Sequence, residues 1–154
     1  MNKTVNVNFP LKDLNIKPLS MAKYLYQKGV FSHLIIQKLI YFAFLKGLEK
    51  NLLFFEERFQ AWKHGPVLRS VFDQFTSCSD FDQMFAKIPE LKNKEIIDIL
   101  EDTYQTYRHW ETWDLVANSH LGPWQKARGD LDPEEISTKE LDLKDLINFA
   151  NGQK

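Results

Sequence analysis

The segment Leu34-Ile35-Ile36-Gln37-Lys38-Leu39-Ile40-Tyr41-Phe42-Ala43-Phe44-Leu45 constrains this chain more than any other stretch. Wound as a helix, it is apolar around most of its circumference, and only Gln37, Lys38 and Tyr41, at i, i+1 and i+4, form a polar stripe. A helix of that kind is stable in water only with other elements packed around it. Ser32 is placed to cap it and Gly47 to stop it, so the spacing predicts a central helix from His33 to Lys46. The apolar run Leu39–Leu45 falls far short of the roughly 20 residues of a membrane-spanning helix.

Surrounding that helix requires a core, and 154 residues with 12 Phe, 5 Tyr and 4 Trp can supply one. A chain of this length buries about 68–70% of its unfolded surface without a disulfide or metal. The single cysteine, Cys78, has no internal partner, and residues 1–8 hold no apolar stretch of signal-peptide length. Both point to a cytoplasmic protein away from membranes.

The other elements are read from caps and periodicity. Residues 1–17 are expected as an N-terminal arm or strand, with Val5, Val7 and Phe9 alternating, and 18–150 as a helical domain. A first helix is expected near Ser20, closed by Gly29. Residues 52–63 are aromatic and charged, too short to assign as helix or hairpin, and the place of at most a small β element. Gly65 makes a turn, and Pro66 suits the first position of a helix through Phe75, with Val67, Val71 and Phe75 on one face. Asn93 caps a helix through Tyr107, Thr112 a short one containing Leu115, Val116 and His120, and Gly122-Pro123 restarts the chain. Ser137 and Glu140 have capping-box spacing ahead of a last helix. The expected fold class is mainly α: a compact, single-domain helical fold with a small β element.

The formal charge of −1 conceals an asymmetry. Residues 1–79 hold 11 Lys and Arg against 5 Asp and Glu, a net +6; residues 80–154 hold 9 against 16, a net −7. Two halves of one domain that attract each other explain this most simply; a bipolar surface that orients a partner is the sharper alternative. Glu101, Glu134 and Asp142 are read as exposed members of the acidic half.

Searches for chemistry return little. His33, His64, His109, His120 and Cys78 show no metal-ligand spacing, and Cys78 or Ser119-His120 lies in no nucleophile context. Glu56-Glu57 reads as a solvated surface pair, and no phosphate-binding glycine loop occurs. No catalytic residue, metal or cofactor is expected, and the protein is read as non-enzymatic. The helix–turn–helix arrangement of residues 20–47 begins its second helix with Leu34-Ile35-Ile36, an unsuitable start for a recognition helix, so no nucleic-acid partner is expected.

Three strings carry more information. Gln37-Lys38-Leu39-Ile40-Tyr41-Phe42 precedes Phe59-Gln60-Ala61-Trp62-Lys63-His64-Gly65-Pro66-Val67, and Leu115-x4-His120-x2-Pro123-Trp124-x2-Ala127-Arg128 follows. In that order the chain resembles the Panacea antitoxin domain family, which includes SocA-like proteins and phage-associated proteins of the GepA type, over about Ser20 to Phe149. The resemblance implies a mainly helical domain that neutralises a cognate toxin by direct protein binding. A proteolysis adaptor or phage accessory binding protein is the alternative, with a protease or chaperone as further partner, and a hydrolase or nuclease using His64, His120 or Glu57 stands behind it. The motif residues Lys38, Tyr41, Trp62, Gly65, Pro66, His120, Pro123 and Trp124 are read as structural or partner-binding. Trp62 and Trp124 are expected as core anchors, and Lys38 and Tyr41 as a polar contact at the core's edge.

Overall fold

In the computed structural model, which describes residues 10–152, helix α2 (His33–Glu49) runs through the centre of the molecule. Ile36, Leu39, Ile40, Tyr41, Ala43 and Phe44 are all sealed from solvent, as an all-round apolar helix demands. Burying each large side chain stabilises the fold by about 1.5–3 kcal/mol. Ser32 caps α2 as expected, its Oγ accepting from the Ile35 N–H at 3.3 Å.

Around α2 pack α1 (Pro18–Gln27), α5 (Lys94–Tyr107), α6 (Thr112–Ser119) and α8 (Leu143–Ala150). The helices α3 (Arg69–Ser77), α4 (Phe81–Ala86) and α7 (Pro123–Arg128) complete the mainly α architecture. Two small sheets accompany them. Strand β1 (Lys12–Asp13) pairs in parallel with β2 (Leu52–Leu53), and β3 (Gln60–Trp62) forms an antiparallel hairpin with β4 (Gly65–Val67). The alternation at Val5, Val7 and Phe9 lies outside the described residues.

Several boundaries differ from expectation, most of them where distant neighbours intervene. α1 begins at Pro18, and the Ser20 hydroxyl instead donates to the Pro89 carbonyl at 2.8 Å. α2 does not stop at Gly47 but continues to Glu49, and Gly47 serves close packing: a Cβ there would strike the Phe54 ring. Pro66 lies in β4 rather than opening a helix. α3 starts at Arg69, where the Glu57 carboxylate takes the Ser70 N–H at 3.0 Å and the Ser70 hydroxyl at 2.6 Å. Glu57 is therefore a capping residue and not half of a solvated pair. Glu111, not Thr112, occupies the N-cap of α6.

Ser137 and Glu140 form no capping box. Glu140 instead bridges Gln60, with the Ala61 N–H donating to Lys139 O and the Leu141 N–H to Phe59 O, so this segment lines the hairpin's free edge. Asp142 caps α8 in their place. The helix α4 was not foreseen; Asp80 caps it through the Gln83 N–H at 3.0 Å.

Opposite charges of the two halves meet in ion pairs at the surface. Lys12–Glu95, Lys23–Glu90, Lys28–Glu101 and Lys63–Glu134 are all pairs across that divide. Glu101 is half-buried, accepting from the Tyr24 hydroxyl at 2.5 Å as well as facing Lys28 at 2.9 Å, so it is no free surface charge. No helix among the described residues is long and apolar enough to cross a membrane.

Candidate functional site

The polar stripe of α2 lies beneath the β3–β4 hairpin. Gln37 reads the backbone there: its Nε2 donates to Leu68 O at 3.1 Å and its Oε1 accepts from the Leu68 N–H at 2.9 Å. One helical position on, Lys38 is wholly buried, with Nζ 3.2 Å from Pro66 O. Lys38 therefore lies within the core and not at its edge, and the same holds for Tyr41. No acidic side chain among the described residues pairs with Lys38. Burial without a counter-charge pushes its pKa down to about 7.

Gly65 makes room for that lysine. Its φ is +115°, a conformation that favours glycine, and a Cβ there would lie 2.7 Å from Lys38 Nζ and closer still to Ser119 Oγ. Ser119 is itself buried and donates to Val116 O at 2.7 Å. Tyr41 turns its ring edge to Phe59, 5.1 Å between centroids, and its hydroxyl has no partner among the described residues. Desolvation raises the Tyr41 pKa, which keeps the phenol neutral.

The α6–α7 turn closes the other side. The His120 ring stacks on Trp124 with centroids 3.9 Å apart and planes within 5°. Desolvation first, then the positive charge of Lys38, lowers the His120 pKa, so the ring is neutral near pH 7. Pro123 is the buried first residue of α7. The Trp124 indole donates to Trp62 O at 2.7 Å, tying α7 to β3. Trp62 and Trp124 are only half-buried, a correction to their expected place as core anchors. Trp62 lies edge-on to Phe72 at 4.6 Å under the Arg69 guanidinium, and its own indole N–H reaches Gln60 Oε1 at 2.8 Å.

Lys38, Pro66, Gly65, Trp62, Trp124 and His120 are thus linked by contacts that join α2, the hairpin and the α6–α7 turn, with Tyr41 on α2 and Pro123 at the start of α7. Two further members escaped the sequence reading of the site. Ser119 enters the sequence reading only beside His120, as a nucleophile candidate without context, and not as a neighbour of Lys38. Arg128 does stand in the third string; it is buried, and its guanidinium donates to the carbonyls of Ala61, Asp132 and Glu135 at 2.8–3.0 Å.

Lys38 and Trp124 of this cluster bond to backbone carbonyls, while the Tyr41 hydroxyl and His120 Nε2 have no hydrogen-bond partner among the described residues. His64 is exposed against Trp113, 5.3 Å between centroids, while Glu57 is engaged by Ser70. His33 stacks on Phe75 at 4.7 Å. Among the described residues no three His, Cys, Asp or Glu side chains converge as a metal site would require.

Residues 36–125 match the family model described as Antitoxin SocA-like, Panacea domain. This chain belongs to the SocA-like Panacea antitoxin family. No curated protein and no solved structure matches it. The Panacea match contains all eight motif residues and ends within α7, ahead of α8.

Proposed function

We propose that this chain is an antitoxin that neutralises a cognate toxin by direct protein–protein binding, acting non-enzymatically in the cytoplasm. Its Panacea family membership carries the reading. The geometry supports it in one respect: the motif residues bond to one another and to backbone carbonyls, which suits a scaffold more than a catalyst. The unit that carries the activity is taken as residues 18–150, with 1–17 as an arm, and a protease or chaperone as an additional partner.

The test is co-expression with the product of the adjoining reading frame. Expression of that product alone should arrest growth, and this chain should restore it. Folded His64→Ala, His120→Ala and Cys78→Ala variants should restore it equally. Failure of the wild-type chain to rescue would overturn the antitoxin reading, and loss of rescue in a folded histidine or cysteine variant would revive a catalytic one.

A further inference from the structure

The buried amide of Gln37 has only one orientation that suits the backbone it pairs with. Its Oε1 accepts from the Leu68 N–H at 2.9 Å and its Nε2 donates to Leu68 O at 3.1 Å, and a reversed amide would set donor against donor and acceptor against acceptor. The atom turned toward His33 is therefore Nε2, a donor, 3.0 Å from His33 Nε2. Only a ring nitrogen with a free lone pair can accept there, so His33 is neutral and carries its proton on Nδ1.

Leu68 is the joint at which the hairpin passes into α3: it follows β4 directly and is the N-cap of α3. Its carbonyl also accepts from the Phe72 N–H at 3.1 Å, but its N–H is held by Gln37 alone among the described residues. Leu68 has no solvent-exposed surface, so an N–H released there finds no water in place of Gln37, and leaving it unpaired is costly.

The surroundings of His33 oppose a second proton. The ring stacks on Phe75 at 4.7 Å, with Phe72 tilted beside it at 5.6 Å. Burial first, and then the charge of Lys38, hold its pKa below the ordinary 6.5. Carboxylates on the neighbouring elements are engaged elsewhere: Asp73 of α3 with Arg69 at 3.2 Å, Glu57 with the Ser70 hydroxyl at 2.6 Å, and Asp82 of α4 with the Tyr26 hydroxyl at 2.7 Å. A proton on Nε2 would meet the Gln37 amide donor to donor.

We infer that His33 is a proton-operated latch on this joint: the neutral ring keeps Gln37 paired with Leu68, and protonation in mild acid turns the amide away and frees the passage from β4 into α3. The latch bears on the family motif, because Trp62, Gly65 and Pro66 stand on the hairpin that the joint positions. Since the folded ring takes its proton less readily than an unfolded one, the joint is fully held above pH 6.5 and loosens as pH falls below it. The latch is a property of the fold and stands apart from the antitoxin reading.

The test follows the full chain by nitrogen-15 NMR from about pH 7.5 to about pH 5, reading the His33 ring nitrogens and the exchange protection of backbone amides. At the upper end His33 should show a protonated Nδ1 and a bare Nε2. As the ring takes up its second proton, protection of the Leu68 amide should fall about tenfold with the same midpoint, while the core amide of Leu100 stays protected. His33→Phe keeps a ring on Phe75 and cannot take a proton, so its Leu68 amide should stay protected throughout. A proton on Nε2 at neutral pH would overturn the latch, and so would a Leu68 amide that stays protected while His33 titrates. Equal losses at Leu68 and Leu100 would mean general acid unfolding and overturn it as well. A Leu68 response that persists in His33→Phe would pass the effect to Lys38 or His120, against the inference. Should His33→Phe not fold, the two wild-type midpoints decide, and their disagreement overturns the latch.

Discussion

Lys38 Nζ donates to the Pro66 carbonyl at 3.2 Å, its one hydrogen bond among the described residues, and the lysine has no solvent-exposed surface. A helix at the centre of the core is thereby tied to a strand of the hairpin through a single ammonium group. Isolated in this way, the group gives the fold a dependence on pH.

Stability should rise between pH 7.5 and 9.5. The unfolded lysine titrates at 10.5 and the folded one at about 7, so between these values the unfolded chain binds a proton that the folded chain does not. Stability increases with pH wherever the unfolded state holds more protons, so the burial cost is complete below about pH 7 and gone above 10.5. His33 and His120, both lowered, titrate below this window, and Tyr24 and Tyr41, both raised, above it. Urea midpoints at three pH values check this. The wild-type midpoint should climb and that of Lys38→Met should stay level; a level wild-type profile would remove the account of Lys38.

Gly65→Ala should be severely destabilising, by about 3 kcal/mol or more. It combines a strained positive φ with the displacement of Lys38 Nζ and Ser119 Oγ. Because Met lacks the ammonium group, Gly65→Ala combined with Lys38→Met should cost less than the sum of the single changes. A double-mutant cycle measures that coupling, and strict additivity would show that Gly65 and Lys38 do not compete for space.

At Trp124 two contributions separate. Trp124→Phe keeps a ring against His120 but loses the bond to the Trp62 carbonyl, at a cost of about 1 kcal/mol. Trp124→Ala removes both and should cost about 3 kcal/mol, the low end for an aromatic truncation because the ring is half-buried. Equal losses in the two variants, read by chemical denaturation, would mean that the hydrogen bond alone matters.

Glu101 should behave as a structural residue. Hydrogen bonds from Gln105, Tyr24 and Lys28 hold its carboxyl down to about 2. Its contribution is therefore present above pH 4.5 and lost as pH falls toward 2. Glu101→Gln should flatten the acid limb of the stability profile, whereas Asp142→Ala should lower stability by about 1 kcal/mol through the lost α8 cap. An unchanged acid limb in Glu101→Gln would return Glu101 to the free surface.

Features that act within a few residues were legible in the sequence. Ser32 and Asn93 cap the helices they were expected to cap, and Gly29, at φ +100°, ends α1. Gly47 and Pro66 misled because their local preferences yield to distant neighbours: the Phe54 ring occupies the space above Gly47, and Lys38 and the hairpin hold Pro66 extended. The site was half visible for the same reason. Lys38 and Tyr41 stand out as polar residues on an apolar helix, but how deep they lie depends on β3, β4 and α6. Ser119 is drawn in because α6 packs against α2 and β4.

The edge-bridging segment around Glu140 and the helix after it bear on where this protein can be cut. The family match ends at residue 125, yet Leu141 and Leu146, beyond it, are sealed from solvent, and α8 packs directly on α2. A fragment trimmed to residues 36–125 would expose one flank of its most apolar helix and strip Ala61 of its partner on Lys139. Chimeras between relatives would meet the same obstacle: a transplanted 36–125 segment must find a matching C-terminal helix in its new host, and the seam between them becomes the place where exchange fails.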